Sequence, residues 1–171
     1  PNYFTTGMHW RILSGELFAP EAKNNPLWLK MRLPRNVAVE FDARSETTSG
    51  NRIGDIKFEI FGNGRDHASG YVLIFGGWGN SISVIARLDE HGRDRAERRD
   101  KKVEVKKAYH MRIERTGGQL RWFIDGDLFM SLDDPRPLEG AEHDRFAFSS
   151  WEAELFFDNL EIPVENLIGE E

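Results

Sequence analysis

At 171 residues, with 39% hydrophobic and 30% charged side chains, the chain has the length of one domain and enough apolar material for a substantial core. Its 16 glycines, 7 prolines and net charge of −6 suit a globular fold and exclude a collagen, a coiled coil or an acidic tail. No apolar run nears the ~20 residues of a membrane span. No signal-peptide pattern opens at Pro1, and the absence of cysteine removes disulfides and thiolate metal sites.

In chain order, Trp10 and Ile12 with Glu16–Ala19 predict a first short hairpin. Over Val37–Arg44 the apolar Val37, Val39, Phe41 and Ala43 alternate with Ala38, Glu40, Asp42 and Arg44, the signature of a half-buried antiparallel strand. Ile56, Phe58 and Ile60 repeat that design until Gly62-Asn63-Gly64 ends it. Tyr71–Phe75 is apolar at every position and predicts a central strand covered on both faces. Gly76-Gly77-Trp78-Gly79-Asn80 links it to Ser81–Arg87. Arg93–Lys107 has helix-forming composition but no apolar residues at i, i+3 and i+4, so it reads as a solvated excursion, with 92–101 its charged loop.

Further on, Met111 and Ile113 alternate within Tyr109–Thr116, as do Leu120, Trp122 and Ile124. The turns Thr116-Gly117-Gly118-Gln119 and Asp125-Gly126 make residues 109–132 a meander. Leu155–Phe157, followed by Leu160 and Ile162, changes phase as at a bulge, and predicts a last strand returning beside the first hairpin. Ten or more strands without crossover helices predict an all-β fold, a two-sheet antiparallel β-sandwich or jelly roll, in one domain over 1–171.

The ordered segments Trp10-x-Ile-x-Ser-Gly15-Glu-Leu, Val37-Ala-Val-Glu-Phe, Tyr109-His-Met-Arg-Ile-Glu-Arg-x-Gly-Gly, Phe123-Ile-Asp-Gly and Phe157-Asp-Asn-Leu-Glu-Ile162 resemble the concanavalin A-like lectin/glucanase superfamily. Within it the chain is most similar to laminin G-like bacterial modules, including those near the 3-keto-disaccharide hydrolase family. The resemblance implies a concanavalin A-like jelly roll with a concave sheet, a glycan partner bound or cleaved there, and an extracellular or cell-envelope location. Family-16 glucanases of the superfamily carry Glu-x-Asp-x-Glu on one strand face. Here the nearest match is Glu40-Phe-Asp42-Ala-Arg44-Ser-Glu46, with Arg44 in the third carboxylate's place. Glu40 and Asp42 stand ~6.6–6.8 Å apart along a strand, inside the inverting range of ~6.5–9.5 Å. Arg44 beside Asp42 would keep it ionised, against the needs of a general acid. The reading is therefore a non-catalytic carbohydrate-recognition module. Its alternatives are a glycoside hydrolase using Glu40 and Asp42, and an adhesion or scaffold module.

Glu40, Asp42, Arg44, Lys57, Glu59, His110, Arg112, Glu114 and Arg121 are expected on one polar face if the registers agree. Such a face either meets sugar hydroxyls, with His110 and Arg112 as candidate ligand-binding residues, or is a set of cross-strand charge pairs. Trp78 and Asn80 sit among small residues that leave an indole open for stacking, and Trp151 occupies a similar corner after Ser149-Ser150. Trp10, Trp28 and Trp122 are assigned to packing. His110 lacks a second histidine at metal spacing, and the other histidines scatter through loops, which argues against zinc. Calcium candidates are Asp125 with Asp127, and Asp158 with Asn159. Segment 87–107 carries nine Lys/Arg against six Asp/Glu. It is either self-paired or an anionic partner's site; without interleaved aromatics it suits nucleic acid poorly.

Overall fold

The computed structural model of the chain describes residues 3–5, 10–20, 23–46 and 53–163. Its strands are β1 (Tyr3–Thr5), β2 (Arg11–Leu13), β3 (Glu16–Ala19), β4 (Leu27–Leu29), β5 (Val37–Glu46), β6 (Ile56–Gly62) and β7 (Tyr71–Gly76). After a single turn, α1 (Gly77–Asn80), come β8 (Ile82–Arg87), β9 (Ala96–Arg98), β10 (Tyr109–Thr116), β11 (Gln119–Ile124), β12 (Asp127–Asp133), β13 (Arg145–Ser149) and β14 (Glu154–Glu161). Sheet I runs β1-β4-β13-β6-β7-β8-β9, and sheet II runs β12-β11-β10-β5-β14-β3-β2. Every pairing is antiparallel. The all-β sandwich read from alternation is the fold.

The meander β10-β11-β12 turns at Asp125 and Gly126, whose φ angles of 51° and 85° place both in the left-handed region that a two-residue type I′ hairpin requires. β14 returns beside β3, with Phe156 opposite Phe18, and its phase change is a register shift between Asp158 and Glu161. Strand alternation sends Val37, Val39, Phe41 and Ala43 of β5 into the gap between the sheets, where all are buried. Phe41 is central there. Its ring lies 5.0 Å from Phe58 at 81° and 5.2 Å from Phe148 at 85°, and Phe58 in turn meets Trp122 edge-on at 5.3 Å. Such edge-to-face pairs add about 0.5–1.5 kcal/mol each beyond area burial. Trp28 and Trp122 are wholly buried, as their assignment to packing requires.

The outer faces of the two sheets differ. On sheet II, Glu40, Asp42 and Arg44 alternate outward and remain partly exposed. On sheet I, the outward Val72, Ile74, Val84 and Ala86 form a second small buried cluster, and the outward Lys57 and Glu59 are 1% and 0% exposed. Loop residues cover them: Glu90 binds Lys57, while His67 and the Ala68 N–H bind Glu59. Strands β6 and β7 are thus enclosed on both sides, which accounts for the unbroken apolar run of Tyr71–Phe75.

Two expectations need correction. Lys57 and Glu59 do not share a face with Glu40 and Asp42, because β5 and β6, though consecutive, lie in different sheets. Nor is Arg93–Lys107 solvated throughout. Ala96–Arg98 pairs with β8 as an edge strand, and Val103 is buried against the core at 3% exposure. Edge pairing uses backbone groups, so three residues with no apolar period can form it.

Candidate functional site

A cavity of about 340 Å³ opens on the outer side of sheet I, lined by Asn24, Asp55, Lys57, Ile74, Trp78, Gly79, Glu90, His91 and Trp151. Lys57 and Ile74 come from β6 and β7, opposite one another in the register, and Trp78 and Gly79 come from α1. Asn24, Glu90, His91 and Trp151 come from connections between strands. The structure therefore brings Trp78 and Trp151 to one cavity, each more than a third exposed.

Trp78 is presented by an unusual backbone. Trp78, Gly79 and Asn80 have φ of 49°, 68° and 61°, a run of left-handed residues closed by the Ser81 N–H donating to the Gly77 carbonyl at 2.9 Å. The flanking glycines make this path accessible. Arg95 sits over the Trp78 ring at 4.6 Å and His91 meets it edge-on at 5.7 Å, so the indole is held at one face and at its edge. Asn80 does not line the cavity: its side-chain amide is engaged by the backbone of Val103.

The floor is a buried ionic chain. The Lys57 ammonium donates to the Asn24 side-chain oxygen and to Glu90 Oε2, the latter at 2.7 Å. Glu90 Oε1 lies 3.6 Å from His67 Nε2, and His67 Nδ1 lies 2.9 Å from Glu59 Oε2. Both ring nitrogens of His67 thus face carboxylates, which favours the imidazolium. Burial opposes that charge, but the hydrogen bonds to Glu59 and Glu90 outweigh it and raise the His67 pKa to about 9. Burial likewise opposes ionised Glu90, yet His67 and Lys57 together hold its pKa down to about 2. His67 and Glu90 keep their charges near neutral pH, and the floor leaves groups for a ligand. Among the described residues the Asn24 amide nitrogen makes no hydrogen bond, and one Lys57 proton has no acceptor.

The remaining sequence candidates lie on the outer face of sheet II. His110 Nδ1 is 2.8 Å from Asp42 and its Nε2 is 3.0 Å from Glu40, while Arg112 bridges Glu40 and Glu114, both at 2.9 Å. Hydrogen bonding to Glu40 and Asp42 raises the His110 pKa. The His110 hydrogen bond, ahead of the Arg112 charge, lowers that of Glu40. For Asp42, burial is outweighed by hydrogen bonds from Asn159 and His110, and its pKa falls as well. Arg44 is not what holds Asp42: it pairs with Glu16 and Glu46. Asn159 turns its amide nitrogen, a donor, toward Asp42 at 2.7 Å, and Asp158 accepts from the Asn159 N–H. No group of three or more His, Asp or Glu among the described residues is arranged to hold a metal ion.

In segment 87–107, ion pairs engage Arg87 with Asp134, Arg95 and Arg99 with Glu97, Arg98 with Asp100, and Lys107 with Glu104. No helix in the described residues is long and apolar enough to cross a membrane. The cavity's floor escaped sequence reasoning. Asn24, Glu90 and His67 belong to connections without a period, and the polar alternation of Lys57 and Glu59 shows in-or-out but not which sheet.

No family model and no curated protein matches the sequence. Among solved structures, the chain is similar to the carbohydrate-binding module CBM66 from Bacillus subtilis, with a TM-score of 0.76 at 16% identity over 94% of each chain. It is also similar to sheep galectin-11, with a TM-score of 0.61 at 10% identity over 81% of this chain and 97% of that one. The alginate lyase from Corynebacterium sp. gives the same TM-score, 0.61, and the same identity, 10%, over 94% and 82%. With two seven-stranded antiparallel sheets over one shared core and these structural neighbours, the chain has the concanavalin A-like lectin/glucanase jelly-roll fold.

Proposed function

We propose that the chain is a carbohydrate-binding module that holds a sugar in the sheet I cavity and does not cleave it. The observation that carries this reading is the meeting of two partly exposed indoles, Trp78 and Trp151, with a buried hydrogen-bonding floor in one cavity. A sugar has apolar C–H faces and a rim of hydroxyls. Indole faces match the first; the Asn24 amide, the Lys57 ammonium and the Glu90 carboxylate supply donors and an acceptor for the second. The volume of about 340 Å³ lies at the small end of the ~300–1,000 Å³ typical of ligand pockets, which suits one or two sugar rings rather than a long chain.

Binding without cleavage is supported by the state of Glu40 and Asp42. Both are held below their ordinary pKa and both are tied to one imidazole, whereas a hydrolytic pair needs one carboxyl raised as an acid. The kinship in fold with a carbohydrate-binding module and a galectin supports the same reading. An extracellular or cell-envelope setting, where glycans are displayed, fits that role. Isothermal titration against a glycan panel tests it. Binding is expected for at least one sugar and is expected to weaken tenfold or more in Trp78→Ala and in Trp151→Ala. Failure of the intact protein to bind any glycan would overturn it.

A further inference from the structure

On the reading that this cavity binds sugar, we propose that it selects uncharged sugars and turns away those bearing a carboxylate. The cations at the site are already matched. Among the described residues Lys57 is the one lysine or arginine in the lining, and its ammonium is shared between Asn24 and Glu90. Behind it, His67 is held between Glu59 and Glu90. Arg95, which lies over the Trp78 ring and outside the lining, is tied to Glu97 and to the Glu90 backbone carbonyl.

Among the described residues no arginine fork is therefore presented to the cavity, and that is the group that recognises a planar carboxylate in two-pronged fashion. What is presented instead is Glu90, whose Oε1 faces His67 and His91 only at 3.6 and 3.8 Å, less closely than Oε2 meets Lys57, and so can accept from hydroxyls. A sugar hydroxyl donates to Glu90 and accepts from Lys57 or Asn24 without disturbing the ionic chain. A sugar carboxylate can only accept. It would compete with Glu90 for Lys57 while standing a few ångströms from a like charge in a site of low effective dielectric.

Paired probes separate this proposal from the reading beneath it. Methyl glucoside, galactoside and mannoside are each titrated beside the corresponding methyl uronide, which differs at a single carbon, in 50 mM and 500 mM salt. For any pair that binds, the neutral member is expected to bind at least tenfold more tightly at 50 mM, with the gap narrowing at 500 mM as charge is screened. Equal or tighter binding of a uronide, still lost in Trp78→Ala, would overturn the selectivity while leaving the sugar site standing. Binding of neither member of any pair, nor of any other glycan, would remove both. Glu90→Gln, checked for folding by its melting curve, is expected to bind uronides more tightly than the parent does, because Lys57 then lacks its anion. No gain in a folded Glu90→Gln protein would also count against the proposal, and should that variant not fold, the paired titrations decide alone.

Discussion

Asn80 grips Val103 at both backbone groups, its amide nitrogen donating to the Val103 carbonyl at 2.9 Å and its side-chain oxygen accepting from the Val103 N–H at 2.8 Å. This fastens the left-handed turn that displays Trp78 to the charged segment packed on the edge of sheet I. Asn80→Ala removes both bonds, leaves a buried residue's N–H without its acceptor, and asks alanine to keep φ near 61°. A loss of about 2–4 kcal/mol is expected, from the two bonds and the left-handed penalty together. Denaturant unfolding checks it, and glycan affinity should fall as the Trp78 turn loosens.

Two glycines on the same turn should behave differently. Gly76 has φ of 71°, and a Cβ there would lie 2.5 Å from Asn80 Oδ1 and 2.7 Å from Val103 Cγ2. Gly79 has φ of 68° with open space where its Cβ would go. Gly79→Ala is expected to lose only the ~1–2 kcal/mol of the left-handed conformation. Gly76→Ala should lose clearly more, by displacing the Asn80 clamp. Equal losses in equilibrium unfolding would show that the clamp contributes nothing.

The ionic chain under the cavity sets a pH window. His67 is raised from 6.5 to about 9, so its contribution to stability is complete below pH 6.5 and disappears as pH climbs through about 9. Glu90 is lowered from 4.5 to about 2, so its contribution is complete above pH 4.5 and disappears as pH drops through about 2. From these two groups the melting temperature should be flat between pH 4.5 and 6.5 and fall on either side. His67→Gln should flatten the alkaline limb and Glu90→Gln the acid limb, read by scanning calorimetry.

Depth of burial should divide the two sheets' outer faces from the core. Phe41→Ala, at a wholly buried position, is expected to cost about 3–5 kcal/mol. His110→Ala removes exposed ion pairs and should cost under ~1 kcal/mol. Because His110 and Glu40 lie on sheet II, His110→Ala and Glu40→Gln should leave affinity for the sheet I ligand within about twofold of the parent, as expected for distant sites. A tenfold loss in either would move the binding site to sheet II.

The fold was legible because strand period is a local signal. Alternation in Val37–Arg44 named the inward Phe41, and Asp125-Gly126 marked a hairpin by its backbone demands. Trp78 was conspicuous for the glycines around it, and those glycines do permit its left-handed turn. The floor was illegible for a different reason. Asn24, Lys57 and Glu90 lie 33 residues apart in each step along the chain, and only the sheet order brings them together. Arg44 shows the same limit: nearness to Asp42 in sequence suggested a partnership, but its guanidinium turns to Glu16 across the sheet.

The division of labour within the cavity has an evolutionary corollary. Only Lys57 and Ile74 belong to strands; Asn24, Asp55, Glu90, His91 and Trp151 ride on connections, the segments that tolerate sequence change best. Such a scaffold can exchange its taste for one saccharide for another by editing these loop positions, while the pleated frame descends unaltered.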